Sequence, residues 1–298
     1  KMPNHRKICR PFGENIGMIL GESAQFVVLM QDSLAFELGL NIHGAALSSH
    51  IHSDGYKKSI SGPGAGNYLT VGKIFNEIEK HFSTAGLNQT FFHAHGTSTP
   101  QNRESESHII SSISKAFGVK ALPVTAIKSY LGHSLAAAGG DQMISTLGSW
   151  KNNIIPGIAS TPKLADNVHK ENVEFLLQNK QFKDSEFNFA VLNAKGFGGN
   201  NGTALVASPS KTMKILESKY PKKDIKAYLI KKNNIDDQLN QSKQKILQGD
   251  TKSRYIFGED VIDGMNDFSI ETDKITNKLN KEVFDLNSTL PYEDFLKK

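Results

Sequence analysis

The chain has 298 residues, long enough for one large domain or two smaller ones, and its 38% hydrophobic and 22% charged content is typical of a globular protein with a sizeable core. Its formal charge of +5 is spread along the chain and mixed with acidic residues, which argues against a nucleic-acid binder. A basic surface suits an acidic partner, although a solvated lysine-rich surface is the simpler interpretation.

The cysteine and hydropathy patterns restrict where the protein works. Cys9 is the one cysteine, so no intramolecular disulfide can form, and a reducing, cytoplasmic location is expected. No apolar run approaches the length of a membrane span. Lys1 is not a translation start, so we expect sequence upstream of it, with a start at Met2 as the alternative.

The hydrophobic pattern predicts alternating strands and helices in chain order. Residues 17–30 read as two buried strands joined by a turn, residues 31–39 as a helix capped by Gly39, and residues 61–67 as a loop. Further strands are predicted over residues 41–52, 89–94, 123–127, 189–193 and 203–207. Further helices are predicted over residues 68–85, 104–117 and 134–150. The Ala- and Gly-rich start of the last of these indicates a buried helix, and the alternation predicts an α/β layered core.

Two short segments carry residue types that are suited to catalysis. In HAHGTSTP, residues 93–100, a strand delivers His95 to a tight glycine turn beside threonine hydroxyls that donate and accept hydrogen bonds. In KSYLGH, residues 128–133, Lys128 ends an apolar strand, where a buried lysine needs a partner or a lowered pKa. His133 begins the Ala-rich helix, whose positive end keeps the imidazole neutral. Each segment alone is equally compatible with a structural role.

A third segment, NAKGFGGNN at residues 193–201, is a glycine-rich turn between two predicted strands. Such a turn can point backbone N–H groups at a developing oxyanion. Most glycine-rich hairpins are only turns, so this segment alone is a weak signal.

Together, in this order and spacing, the three segments resemble the HGTxT, KSxxGH and GFGGxN motifs of the β-ketoacyl synthases, in the thiolase-like superfamily. Residues 10–12 and 17–24 resemble that family's RPFD and GFVxGEGA stretches. The resemblance covers about residues 8–208. It implies a layered αβαβα fold of the α/β class, of which this chain supplies the C-terminal half with its mixed sheet. The implied divisions are the end of the N-terminal half, the C-terminal synthase domain and a polar extension, over residues 1–60, 61–208 and 209–298.

The resemblance implies an acyltransferase of fatty acid or polyketide-type synthesis, in which malonyl-acyl-carrier-protein is decarboxylated and its enolate attacks a cysteine-bound acyl thioester. Both substrates ride on the phosphopantetheine of acyl carrier protein, and no cofactor is bound by the chain. His95 and His133 would donate N–H bonds to the malonyl thioester oxygen, and Lys128 would set the local electrostatics. Glu106 would support the site through a polar network. The implied substrate contacts are Thr97, Thr99, Phe197, Gly198 and Gly199.

This sequence departs from the family pattern at several positions. The nucleophilic cysteine is absent, because Cys9 matches a non-catalytic position, so the chain alone is not expected to condense anything. A missing N-terminal half, carrying that cysteine, is the expected explanation, and residues 17–30 would then lack their strand partners and lower the solubility of the isolated chain. Homodimerisation is expected from the resemblance. Four substitutions indicate a divergent subfamily: Gly13, Arg103, Gln142 and Lys195.

Four other functions compete with this interpretation. A chain-length-factor-like partner subunit would also lack the cysteine, but it has no need for two histidine donors and a buried cation. A thiolase needs two reactive cysteines. A metal site on His93, His95 and His133 would lack the usual cysteine or acidic ligands, so the sequence predicts none. A nucleic-acid binder is disfavoured by the dispersed charge.

Overall fold

The computed structural model of the protein describes residues 8–15, 17–55, 64–250 and 262–288. The helices are α1 Asp32–Leu38, α2 Ala65–Asn88, α3 Pro100–Ala116, α4 Lys128–Leu131, α5 Ala138–Asn152, α6 Pro209–Lys219 and α7 Lys222–Leu247, with a 3₁₀ turn at Leu135–Ala137. The strands are β1 Ala45–Ser53, β2 Thr90–His93, β3 Leu122–Thr125, β4 Ile154–Ile155, β5 Val173–Phe175, β6 Lys180–Gln181, β7 Phe189–Gly196, β8 Asn200–Ala207, β9 Phe268–Ile270, β10 Lys274–Asn277 and β11 Val283–Asp285.

A mixed six-stranded sheet is the centre of the fold, in the order β1-β8-β7-β2-β3-β5. The strands β7, β2, β3 and β5 run parallel, whereas β8 is antiparallel to both β1 and β7. Parallel strands need crossover connections, and the helices supply them. The carboxyl ends of β2 and β3 therefore lie side by side, and the segments HAHGTSTP and KSYLGH lie at these two ends.

Alternating side chains build a core on each side of this sheet. Phe92 packs with α2 and α3 in one cluster, whereas Phe91 packs with Trp150 of α5 in the other. Successive strand residues point to opposite faces, so β2 is buried on both. The described layers are helix, sheet and helix, and this mixed α/β arrangement confirms the predicted fold class.

Residues 17–30 are not the buried strands that the sequence predicts. They are extended, but among the described residues only Leu20 bridges another chain segment, next to His133. Phe26 is 94% exposed and Val28 is 78% exposed. The apolar pattern indicates a buried strand, but no neighbouring strand of the described residues pairs with it, so the prediction of unpaired, exposed apolar residues holds and that of burial does not.

Several helix boundaries also differ from the prediction. α2 begins at Ala65, inside the predicted loop, of which residues 61–63 lie outside the described residues. α3 begins four residues early because Thr99 caps it and Pro100 occupies its first turn. The predicted helix over residues 134–150 is a 3₁₀ turn followed by α5, and it is not fully buried, because Leu135 and Ile144 are half exposed.

The predicted apolar island at residues 225–230 lies in α7. Ile225 and Tyr228 pack against Phe36 of α1, and the Phe36 and Tyr228 rings stack with centroids 4.3 Å apart. The Tyr228 hydroxyl donates to the Leu40 carbonyl at 2.9 Å. This part of the polar extension is therefore ordered by a small hydrophobic cluster, whereas the island at residues 255–257 lies outside the described residues.

The chain divides into two compact units, residues 1–237 and residues 238–298. The second unit contains the antiparallel three-stranded sheet in the order β11-β10-β9. The domain divisions drawn from the sequence stay predictions. None of the described helices has the length and apolar character needed to cross a membrane.

Candidate active site

The first motif forms a tight turn at the end of β2. The chain leaves β2 at His93, and Gly96 adopts a left-handed backbone with φ of +53°. A side chain at Gly96 would approach the Ala126 Cβ within 2.6 Å, so glycine is required both for the turn and for this close approach. The turn buries His95 and Thr97 beside the end of β3.

Glu106 fixes this turn from α3. Its carboxyl oxygens accept the backbone N–H groups of His95, at 2.7 Å, and Gly96, at 2.9 Å. They also accept the side-chain amides of Asn102, at 2.9 Å, and Asn193, at 2.8 Å. One fully buried carboxyl group therefore joins the end of β2, the first turns of α3 and the strand β7.

The second motif begins a short helix rather than ending a strand. β3 stops at Thr125, and Lys128 is the first residue of α4. Its side chain is 2% exposed, and Nζ has no hydrogen-bond partner among the described residues. Burial lowers the pKa of Lys128 to about 8, although the charges of Glu106, Cys9 and Asp141 oppose the shift.

His133 is held by the backbone of an upstream segment. The backbone N–H of His133 donates to the Ile19 carbonyl at 2.7 Å, and the His133 backbone carbonyl accepts from the Gly21 N–H at 3.0 Å. A side chain at Gly21 would collide with the Leu131 carbonyl. We call residues 19–21 the strap. The sequence predicts His133 at the start of a helix. In the structure it lies in the connection between α4 and the 3₁₀ turn, where it forms a β-bridge with Leu20.

The two site histidines face each other across the ends of β2 and α4. Their ring centroids are 5.2 Å apart and the rings are nearly perpendicular, at 84°. The Leu135 N–H lies 3.1 Å from Nδ1 of His133, and the Lys195 N–H lies 3.3 Å from Nδ1 of His95. Because each Nδ1 accepts a backbone hydrogen bond, each neutral ring carries its proton on Nε2 and can donate it.

Both rings are held neutral by their surroundings. Burial, and then the Lys128 charge, lowers the pKa of His133 to about 4, while Asp141 opposes the shift. Burial also places the pKa of His95 well below its usual value, with smaller effects from Lys128, His133 and Lys195. Desolvation and a neighbouring cation account for the neutral His133, so the helix-end argument made from the sequence is not the cause.

The third motif is a three-residue turn between β7 and β8. Gly198 and Gly199 have φ of +79° and +85°, which favours glycine at both positions. Phe197 is 63% exposed, and its carbonyl accepts from the Asn200 side chain at 3.0 Å. The turn therefore presents an exposed phenylalanine on a backbone fixed by its own hydrogen bonds.

Thr97 and Thr99 have different local roles from one another. Their hydroxyls lie 3.2 Å apart, but the Thr99 hydroxyl also caps α3 by accepting from the Asn102 N–H at 3.4 Å. Thr97 is buried in the turn and Thr99 is half buried at its rim.

Cys9 lies next to this motif without the character of a nucleophile. Its buried Sγ is 3.1 Å from the Ser98 hydroxyl. Burial raises the pKa of the Cys9 thiol, outweighing the Ser98 hydrogen bond and the Lys128 charge. The thiolate is the reactive form of cysteine, so this environment suppresses nucleophilic attack.

No group of three or more metal-ligating His, Cys, Asp or Glu side chains occurs among the residues that the structure describes. His93 lies at the end of β2, and both its ring nitrogens lack partners there.

Comparison with known proteins places these motifs in a family. Residues 44–161 match the C-terminal domain of the β-ketoacyl synthases. The chain is 44% identical over 263 residues to the β-ketoacyl-acyl-carrier-protein synthase FabY of Pseudomonas aeruginosa, covering 87% of this chain and 41% of that protein. It superposes on the crystal structure of the P. aeruginosa ketosynthase FabY with a TM-score of 0.82 and 40% identity, over 97% of this chain and 45% of that one.

The chain is a homologue of the β-ketoacyl synthases and shares their thiolase-like fold. A 3-oxoacyl-acyl-carrier-protein synthase 2 of Vibrio harveyi is 28% identical over 200 residues, covering 66% of this chain and 46% of that protein. The chain therefore spans less than half the length of these relatives.

The substitutions that distinguish this β-ketoacyl synthase homologue have structural roles. The Arg103 guanidinium donates to the carbonyls of Gly13 and Asn15, at 2.9 and 3.1 Å, and so fixes the loop after Phe12. Gln142 donates to the backbone carbonyls of His93 and Ala94, at the end of β2, and of Asn193 within β7. The Lys195 Nζ lies 3.4 Å from the Ser105 hydroxyl on α3.

Sequence reasoning names Glu106 as part of a polar network but misses the other members of that network. The Asn193 side chain bonds those of Asn67, at 2.7 Å, and Thr203, at 3.0 Å, and the Thr203 hydroxyl donates to Thr70 at 2.8 Å. These residues come from four separated stretches of sequence, so no local pattern groups them. The polar residues inside apolar elements, Asn193 above all, were the available signal.

Proposed function

We propose that the chain supplies the decarboxylating part of the site of a β-ketoacyl-acyl-carrier-protein synthase. The observation that carries this proposal is the pair of neutral imidazoles, each with Nδ1 occupied by a backbone N–H and Nε2–H left to donate. Two such donors at one oxygen stabilise negative charge as it develops there. The relatives of this chain are named as synthases of this type, which supports the same activity here.

In the proposed reaction, the thioester oxygen of malonyl-acyl-carrier-protein accepts hydrogen bonds from His95 and His133. The bond between the malonyl methylene carbon and its carboxylate breaks, carbon dioxide leaves, and the electron pair forms an enolate on the thioester. The enolate carbon then attacks the carbonyl of an acyl-cysteine thioester, and the cysteine thiolate departs as the new carbon–carbon bond forms. The buried Lys128 cation favours the enolate through its charge.

The substrates would reach the site on the phosphopantetheine arm of acyl carrier protein. Thr97 and Thr99 offer hydroxyls for the amides of that arm, and Phe197 would gate the acyl pocket. Gly198 and Gly199 are proposed as further substrate contacts. The phosphopantetheine belongs to the substrate carrier and not to this chain.

The acyl-holding cysteine would come from a complementary segment, because the Cys9 thiol is buried with a raised pKa. An open apolar surface supports such a partner. We define the open face as residues 25–30, Leu135 and Ile144; Gln25 bonds Asp141 and packs against Gly140, which brings the two parts together. Exposed apolar surface of this kind is typical of a protein interface. A homodimer of the completed enzyme is proposed from the family resemblance alone.

The test is release of labelled carbon dioxide from malonyl-acyl-carrier-protein by the chain joined with its cysteine-bearing complement. We expect His133→Ala to lower the rate by about 100- to 1000-fold, because it removes one oxyanion donor. The control is His81→Ala, which changes an exposed histidine of α2. An unchanged rate in His133→Ala would contradict the assignment.

The second candidate is a partner subunit that does no chemistry, favoured only by the lack of a reactive cysteine in this chain. The same assay separates the two. A non-condensing partner would release no carbon dioxide above the rate of its complement alone, and His133→Ala would then leave that rate unaltered.

A further inference from the structure

A second set of buried polar atoms adjoins the candidate active site, and apart from Lys128 none of its members has a role in the reaction as proposed. Both ring nitrogens of His93, Nζ of Lys128 and Oγ1 of Thr146 lack hydrogen-bond partners among the described residues. The exposed fractions of these side chains are 1%, 2% and 0%. Folded proteins rarely leave such groups unsatisfied, because each loses its hydration on burial.

The fold brings His93 and Thr146 to the same layer. His93 shares a face of β2 with Phe91, which packs against Trp150 of α5, so the His93 ring points toward α5. Gln142 of α5 donates to the His93 carbonyl, and Thr146 follows one helical turn later on the same face. Both side chains therefore face the layer between β2 and α5.

Lys128 approaches this layer from the neighbouring strand. His93 pairs in parallel register with Thr125 at the end of β3, and Lys128 follows three residues later at the start of α4. The Lys128 charge contributes, after burial, to lowering the pKa of His93 to about 3. His93 therefore stays neutral near the cation and keeps one donor and one acceptor nitrogen.

We infer that His93 is a positioning residue for Lys128, which it holds through ordered water shared with the Thr146 hydroxyl. A buried water needs two to four polar partners, and these three side chains provide them. A neutral imidazole suits this role because it both donates and accepts. The water can then solvate the lysine whether it is protonated or not. The catalytic consequence rests on the function proposed above; the contact itself does not.

The hydration of Lys128 matters because its pKa lies near working pH. The groups that act on it or on its histidine neighbours come from every element around it: Glu106, Asp141, Cys9, His95, His133 and Lys195. Removing His93 leaves all of them in place and removes only the polar anchor of the water. The charged lysine then loses solvation, so its protonated fraction falls at a given pH.

The experiment titrates Lys128 directly by NMR of protein labelled with ¹³C at the lysine ε-carbon, in the chain joined with its complement. The Lys128 signal is assigned by its loss in Lys128→Arg. His93→Leu is expected to lower the titration midpoint by about one pH unit, a ten-fold change in protonation constant. His93→Gln, which donates and accepts, is expected to restore most of the shift.

Leu192→Ala is the matched control. Leu192 pairs in register with His93 on β7 and is also buried, so its truncation disturbs the same layer without removing a polar group. We expect this variant to leave the Lys128 midpoint unchanged. An equal shift in Leu192→Ala, or no shift in His93→Leu, overturns the inference.

Two further measurements keep the test decisive. If His93→Leu does not fold, the near-isosteric Thr146→Val removes another partner of the water and must lower the midpoint; an unmoved midpoint overturns the inference. Carbon dioxide release is measured in parallel, and its alkaline limb must move with the NMR midpoint. If wild-type protein releases none, the proposed function fails while the NMR titration still decides the role of His93.

Discussion

At the scale of single residues, the site depends on which protonation state each buried group can hold. His133, with a pKa of about 4, and His95 stay neutral over the working pH range, whereas Lys128, with a pKa of about 8, does not keep its charge throughout. Neutral donors and a titrating cation predict an asymmetric pH profile. The acid side should be flat to about pH 4, and the alkaline side should fall.

The expected alkaline limb belongs to Lys128. The charged form is lost as pH rises through its pKa, so carbon dioxide release should decline above about pH 8. Lys128→Arg keeps the charge at all these pH values, since arginine does not deprotonate in proteins. The rate of this variant, measured from pH 6 to 10, should therefore not decline above pH 8. A wild-type-like decline in Lys128→Arg would assign the limb to another group.

Sequence alone predicts these residues and a neutral His133, but not the contacts that fix the state of each side chain. The motif order picks out His95, Lys128 and His133, and the structure places all three together. The sequence does not reveal that the backbone N–H groups of Leu135 and Lys195 fix both tautomers, because any residue type can supply a main-chain donor. The sequence also predicts His133 at a helix start and attributes its neutral state to the helix end. In the structure, burial and the neighbouring Lys128 cation lower its pKa.

At the scale of elements, the Glu106 carboxyl group joins the end of β2, the first turns of α3 and the strand β7 through four hydrogen bonds. Glu106→Gln keeps the shape of the side chain but turns an amide N–H₂ toward groups that are themselves donors. We expect it to lower the free energy of unfolding by about 2–5 kcal/mol, as unsatisfied buried donors do. Urea denaturation followed by circular dichroism measures this change.

The control for that substitution lies on the same helix. Glu104 is exposed and accepts one long hydrogen bond, from Asn167 at 3.3 Å. Glu104→Gln should change the free energy of unfolding by less than about 0.5 kcal/mol. Equal effects of the two substitutions would mean that the network around Glu106 does not join the elements as described.

The element boundaries follow the sequence where the signal is local. The Gly39 cap ends α1 as predicted, with φ of +68°. The start of α3 was missed although Thr99 and Pro100 are typical cap and first-turn residues. For residues 17–30 the local signal is right about extended, apolar chain. Pairing is a property of another segment, however, and no window of this sequence contains it.

At the scale of the whole molecule, the open face decides how the isolated chain behaves. Phe26, Val28 and Leu29 are each at least 75% exposed on an extended segment without strand partners in the described part of the chain. Exposed apolar edges promote association. The isolated chain is therefore expected to self-associate, and light scattering during size-exclusion chromatography would detect it.

Substitutions can locate that association. Val28→Lys should shift the chain toward monomer, because a charge on an unpaired strand opposes pairing. Met265→Lys, at a position 90% exposed outside the open face, is the control and should have no effect. Association that persists in Val28→Lys and disappears in Met265→Lys would mean that the associating surface lies outside the open face.

The fold class was predictable because strand and helix patterns alternate over most of residues 41–207. The sheet order was not, because it depends on which strands the crossovers bring together. The sheet formed by β9, β10 and β11 was missed altogether. Its strands have three or four residues in a polar background, too short for an alternating pattern to register.

The strap has a consequence for dividing this polypeptide into two chains. Both backbone hydrogen bonds of His133 end on Ile19 and Gly21, more than a hundred residues upstream. If the gene were divided between the strap and His133, the orientation of the histidine would depend on reassociation of the two fragments. A cut upstream of residue 17 leaves the strap and the histidine on one polypeptide, so the orientation of the histidine does not depend on reassociation.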